Sequence, residues 1–204
     1  MKFVQSLTRF VPAIALLAAA PAFATNYQVD GAHSTVAFSV KHMAISTVNG
    51  HFNTFSGDFT FDPTTGVLGN SKFEVKTDSI DSGNGKRDEH LKSPDFFDVA
   101  KYPTMTLTDS KIKKTGKDKY DWDAQLTLHG VTKPVKFVLE YTGSAKGMQG
   151  ETRAAFNAST TIKRSDWNLK WNKALEAGGV MVSDEVKLSI DVEAIADAKV
   201  AAKK

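Results

Sequence analysis

Three histidines, His33, His42 and His51, stand nine residues apart near the start of the chain. Imidazoles brought together from neighbouring strands could ligate zinc or another divalent metal. Nine is an awkward interval for strands, however, and no Asp or Glu follows locally to complete a site. We therefore assign no metal and read each histidine as a strand cap or a rim hydrogen bond. The densest polar cluster is Arg87, Asp88, His90 and Asp95. A histidine beside two carboxylates suits proton transfer. Without a base-paired nucleophile or an oxyanion signature, its favoured role is capping and ion pairing that fasten a helix. The chain has no cysteine, which excludes disulfides, thiolate catalysis and cysteine-held zinc or iron–sulfur clusters.

The N-terminus bounds the compartment. Lys2 and Arg9 precede an apolar run over Phe10–Ala20, and Ala22-Phe23-Ala24 forms a small-x-small cleavage site. The run is too short to span a bilayer. The expected organisation is a cleaved signal peptide over residues 1–24 and one domain over 25–204, working in a bacterial periplasm. Removing Lys2 and Arg9 from the 26 basic residues leaves 24 against 23 acidic ones. A nearly neutral chain without a focused basic face is not a nucleic-acid binder. The basic run Lys111–Lys119 contains Gly116 and Asp118, which mark it as a solvated hairpin tip. Asn157-Ala158-Ser159 matches a glycosylation sequon, but it falls in a predicted strand of a chain with a bacterial type of leader.

The elements that would carry these residues are strands. Val36, Phe38, Val40 and His42 alternate with Thr35, Ala37, Ser39 and Lys41, so one face is apolar and the other polar. Gly31 allows a bend between this strand and Tyr27–Val29. The same alternation runs through Ser71–Thr77, Thr104–Lys113, Tyr120–Leu128, Val135–Tyr141, Thr152–Ile162 and Val186–Val192. Lys86–Phe97 is the helical candidate, with acids early, a base late and Ser93-Pro94 to stop it. Asn84-Gly85 reads as a turn, Asp95–Asp98 as a short turn whose phenylalanines plug something apolar, and the tail from Ala194 as frayed. Eight or nine strands at hairpin spacing predict an all-β antiparallel meander; a barrel and a sandwich share this pattern.

The chain holds 13 Phe but only 4 Tyr. Phe52, Phe55, Phe59 and Phe61 fall within ten residues, more than a thin sheet needs. Phenylalanine offers large apolar area with no polar atom to satisfy. These rings either fill a solid core or line a long dry lumen. Trp167 and Trp171 are read as closing the barrel end opposite the helix, or as lying at a membrane surface.

Particular motifs add to this reading. They are Tyr27-x-x-Asp30-x-x-His33-Ser34-x-Val36-x-Phe38, Val48-x-Gly50-x-Phe52-x-x-Phe55-x-Gly57, Arg87-Asp88-x-His90-Leu91-Lys92-Ser93-x-Asp95-Phe96-Phe97-Asp98 and Leu126-Thr127-Leu128-His129-Gly130-Val131-Thr132-Lys133-Pro134-Val135. With Asp184-Glu185-Val186-x-Leu188-x-Ile190, they cover nearly all of the domain in order, and together they resemble the YceI family of polyisoprenoid-binding periplasmic proteins. The resemblance implies an eight-stranded antiparallel lipocalin-like barrel with one or two short helices closing its ends, around an isoprenoid chain.

On this basis the expected function is non-enzymatic binding or carriage of a long-chain isoprenoid lipid, an isoprenoid quinone or polyprenyl compound. No cofactor is expected beyond that lipid. The candidate lumen residues are Phe38, Val40, His42, Phe52, Phe55, Phe59, Leu126 and Phe137, with His42 near the head group. The inner membrane, a membrane redox protein and a second copy of the chain stand as candidate partners. Two alternatives remain open at this level: an enzyme using His42 or the His90 cluster on a bound lipid, and a solid-core interaction module.

Overall fold

Alternation in the sequence becomes a closed ring of strands in the computed structural model, which describes residues 24–176 and 178–197. The proposed leader, except Ala24, lies outside the described residues. The strands are β1 (Thr25–Val29), β2 (Thr35–His42), β3 (Ser46–Phe52), β4 (Phe55–Asp62), β5 (Val67–Lys76), β6 (Ile80–Asp81), β7 (Thr104–Lys114), β8 (Lys119–Leu128), β9 (Val131–Lys146), β10 (Thr152–Lys163) and β11 (Val182–Ala196). Helix α1 spans Gly85–Lys92, and 3-10 turns occupy Thr77–Ser79 and Arg164–Trp167.

The ring runs β1-β4-β5-β7-β8-β9-β10-β11 and returns to β1, with every pairing antiparallel. β2, β3 and β6 prolong β1, β4 and β5 across short breaks and pair among themselves and with β11. Counted as continuous strands, the barrel has eight. Full closure removes the exposed edges that a sandwich would leave.

Closure depends on β11 having two partners on one side. Its far half pairs with β1 (Val29 opposite Ala194, Tyr27 opposite Ala196), and its near half pairs with β2 (Val36 opposite Ile190, Phe38 opposite Leu188). The bend between β1 and β2 is pinned there. Asp30 N and Ser34 Oγ donate to Glu193 O at 2.8 and 3.1 Å, and Glu193 N donates back to Ser34 Oγ at 3.0 Å. Arg153 on β10 donates to both Asp30 (2.8 Å) and the Glu193 carboxylate. The bend foreseen near Gly31 is thus a cross-linked corner. The fraying expected from Ala194 does not begin there: Ala194 is fully buried and β11 continues through Ala196, while residues 198–204 of that tail lie outside the described residues.

At one end of the barrel lie the 43–45 and 129–130 turns, α1 and the segment after β10. At the other lie the 63–66, 115–118 and 147–151 turns. No residue of α1 is fully buried, and its apolar hold on the barrel is Leu91, half-buried against the Phe52, Val75 and Ile80 cluster. Side-chain bonds add to it. Asn84 accepts from Arg87 N at 3.1 Å, so the pair read as a turn is instead a helix start, with Asn84 the N-cap and Gly85 the first helical residue. Arg87 Nε and Nη2 both reach Ser82 at 2.7 Å, and Ser82 N donates to Asp88 at 2.9 Å. His90 Nε2 lies 2.9 Å from Asp95. The fastening role read for Arg87, Asp88, His90 and Asp95 describes these contacts. The placement of the tryptophans needs correction: Trp171 packs against His90 (4.8 Å) and Phe96 (5.1 Å), on the helix side of the barrel.

The corner carries a pH signature. Hydrogen bonds from His33 first, and Arg153 second, hold the Asp30 carboxyl at about 2, below its ordinary 3.8. A depressed carboxylate contributes stability that is complete above the unfolded value and is lost as pH falls through the folded one. We expect Asp30→Asn to lower the melting temperature at neutral pH and to converge with the wild type as pH falls from 4 towards 2. Thermal melts across that window check this; a constant gap would refute it.

Candidate functional site

Inward-facing residues do not fill the barrel evenly. At the end away from α1, Tyr27 stacks on Phe59 (5.6 Å), while Phe61 meets Phe156 (5.0 Å) and Tyr141 (4.9 Å). Burial raises the phenol pKa of Tyr27 and of Tyr120, so both hydroxyls stay neutral. That end is an aromatic plug.

Towards α1 the interior is hollow. A cavity of about 160 Å³ is enclosed by β2, β5, β7, β8 and β11, with Leu91, Phe96 and Phe97 reaching over it from α1 and the turn beyond. At roughly 10–15 Å³ for each water-sized sphere, this space is far more than a packing defect. Its wall is apolar except for Ser56, Thr106 and Arg164. A second cavity of about 40 Å³ lies deeper, between Phe59, Ile112, Trp122, Leu139 and Phe156. Phe73, Ile190 and Val192 line both cavities and so form the partition between them.

Two glycines shape this wall. A Cβ at Gly50 would lie 2.4 Å from the Phe38 ring, and one at Gly57 would lie 2.3 Å from the Phe73 ring. Each aromatic ring therefore packs closely over a bare stretch of neighbouring strand, a seat that any side chain at the glycine would occupy.

Of the residues anticipated from sequence, Phe38, Val40, Phe52, Phe55, Leu126 and Phe137 line the larger cavity. Phe59 does not; it sits in the aromatic packing and touches only the smaller cavity. His42 has the apolar-face parity, but β2 ends there, opposite Val182, and neither cavity includes it. His90 likewise lies outside both walls. The three histidines are not assembled. His33 joins Asp30 and Glu193, whose ligand atoms lie within 4.8 Å of one another. Arg153 donates to both carboxylates, so a cation already neutralises that cluster.

Sequence reasoning missed Arg164. The inward series Ala154, Phe156, Ala158, Thr160, Ile162 reaches Arg164 at its next step, which was the available signal. Arg164 is 7% exposed. Its Nε donates to Ser183 O (3.0 Å) and its Nη2 to Val182 O (3.5 Å), while Nη1 donates to Leu169 O. The Val182 and Ser183 carbonyls lie in a bulge, where β11 advances from Val182 to Val186 while β2 moves only from His42 to Val40; Leu169 O comes from the segment after β10. Burial pulls the guanidinium pKa below its ordinary value, and nearby Asp184 opposes that.

A closed eight-stranded antiparallel barrel with a largely apolar lumen towards one end is the class defined by this geometry. Comparison with known proteins places it more closely. The family model of the YceI-like domain matches residues 27–194, and the chain belongs to that family. A UPF0312 protein of Pectobacterium carotovorum is 38% identical over 186 residues, 90% of this chain and 93% of its own. A UPF0312 protein of Vibrio vulnificus is 39% identical over 160 residues, 76% of this chain and 85% of its own. Among solved structures, the Campylobacter jejuni YceI protein superposes with a TM-score of 0.67 at 35% identity, covering 76% of this chain and 88% of that one. A polyisoprenoid-binding domain from Saccharophagus degradans shares the fold, with a TM-score of 0.64 at 18% identity over 86% of this chain and 100% of that one.

The glycine cradles are open to test. Gly57→Ala should push the Phe73 ring from its seat and destabilise the barrel by about 1–3 kcal/mol, as overpacking does. Adding Phe73→Leu should recover part of that loss. Chemical denaturation of the two single variants and the double variant checks the coupling; strictly additive losses would show that Gly57 does not act through Phe73.

Proposed function

We propose that this protein is a non-enzymatic carrier or store for a long-chain isoprenoid lipid, an isoprenoid quinone or polyprenyl compound, acting in the periplasm. The observation that carries the reading is the apolar wall of the larger cavity, closed at the plug end and covered by α1 and the Trp171 segment at the other. Each methylene removed from water contributes about 0.8 kcal/mol. A long tail therefore needs little specific grip, because real affinities saturate near roughly −20 kcal/mol in any case. What it needs is dry, continuous, smooth space. A tail longer than the first cavity reaches the second past Phe73.

The fold neighbour described as polyisoprenoid-binding supports the choice of lipid class. The leader-like N-terminus supports export. The lipid is cargo, with no resident cofactor beside it, and His90 is engaged by Asp95, Phe96 and Trp171 instead of facing the lumen. Exchange takes place at the α1 end, in contact with the inner membrane or a membrane redox protein.

Protein purified from its own host should yield an isoprenoid lipid on organic extraction and a matching mass increment in native mass spectrometry. Phe38→Asp places a charge in the lumen wall, where burial without a partner is costly. It should abolish the increment while the β-sheet circular dichroism persists. Repeated recovery of lipid-free wild-type protein would sink the proposal.

A further inference from the structure

A lumen that grips only by apolar burial disfavours a polar head in its depth but offers that head no fixed partner. The wall of this one has a single charged residue, Arg164, at the α1 end. A guanidinium carries five N–H donors. Here Nε, Nη1 and Nη2 donate one bond each to the carbonyls of Ser183, Leu169 and Val182, and no ion pair closes on it among the described residues. Two N–H groups are thus left over on a buried cation in an apolar wall. We propose, building on the lipid-carrier reading, that Arg164 is the head-group anchor of the lumen. It donates to a carbonyl-type oxygen of the bound lipid, so the head sits at the α1 end and the tail points towards Phe73.

A rival donor exists. Trp122 Nε1 is buried without a hydrogen-bond partner and Trp122 lines the smaller cavity. Anchoring there would reverse the ligand, head inward. Two considerations favour Arg164. The space beside Trp122 is about 40 Å³ against about 160 Å³, and charge-assisted hydrogen bonds are about twice as strong as neutral ones. The bulge in β11 explains how the arginine comes to be held there: its carbonyls, with Leu169 O, fix the guanidinium while leaving part of it unspent.

The test uses two probes with one isoprenoid skeleton, methyl phytanate and phytane, which differ only in the ester head. Delipidated wild-type protein should bind the ester more tightly than the hydrocarbon by about tenfold or more in native mass-spectrometric competition. In Arg164→Met that ratio should fall towards one. A carbonyl-¹³C ester bound to the wild-type protein should show its infrared carbonyl band shifted below its position in hexane; this readout stands even where the variant does not fold. An unshifted band, a ratio unchanged in Arg164→Met, or a ratio that collapses in Trp122→Phe instead would overturn the anchor while leaving the lumen intact. Failure of the wild-type protein to bind either probe would overturn the carrier reading and the anchor together.

Discussion

The double pairing of β11 is the constraint on which the rest depends. One strand must serve both β1 and β2, so the chain has to turn a corner between them without losing backbone hydrogen bonds. Asp30 N, Ser34 Oγ and the Arg153–Glu193 contact supply that corner. With it, the ring from β1 through β11 closes. Without it, β2 and β3 would splay from β1 and β4, and the larger cavity would lose the wall that carries Phe38, Val40 and Phe52.

Given closure, the interior is decided by how aromatic rings are distributed along the barrel axis. Where tyrosines accompany phenylalanines, at Tyr27 and Tyr141, rings meet and exclude space. Where a phenylalanine sits over glycine on a neighbouring strand, as Phe38 over Gly50 and Phe73 over Gly57, the ring gains a seat at the strand itself, and the larger cavity opens beside it. Both readings of the phenylalanine excess therefore hold, each in its own half of one molecule: a solid core at one end and a lumen at the other.

Much of this architecture was legible in the sequence, because alternation and turn chemistry are local. The strands, the hairpin at Lys111–Lys119, the helix stopped by Ser93-Pro94 and the inward parity of Phe38 and Leu126 follow from period and punctuation; that such positions line a lumen came from the family resemblance. The resemblance to the YceI family supplied the barrel over the sandwich. What stayed hidden depended on the third dimension. Parity says that Phe59 and His42 face inward, but not how far along the axis they lie. Ala194 looked like the start of a polar tail until β1 and Ala154 were placed beside it. Arg164 continued an inward series, yet its charge argued against an interior position, and only the bulge at Val182 shows why a cation is tolerated there. The side of the barrel on which Trp171 lies is likewise a tertiary fact.

The corner that closes the ring also joins distant parts of the chain: Arg153 reaches Asp30 across 123 positions, and Ser34 reaches the Glu193 carbonyl across 159. Contacts so remote in sequence form late, after the entropy of gathering the intervening chain has been met. Until β11 has been synthesised, the ring cannot close, because β1, β2 and β10 all lack the strand that joins them. A nascent chain in that condition is a natural client for a holding chaperone, and proteins truncated before β11 would be sticky fragments.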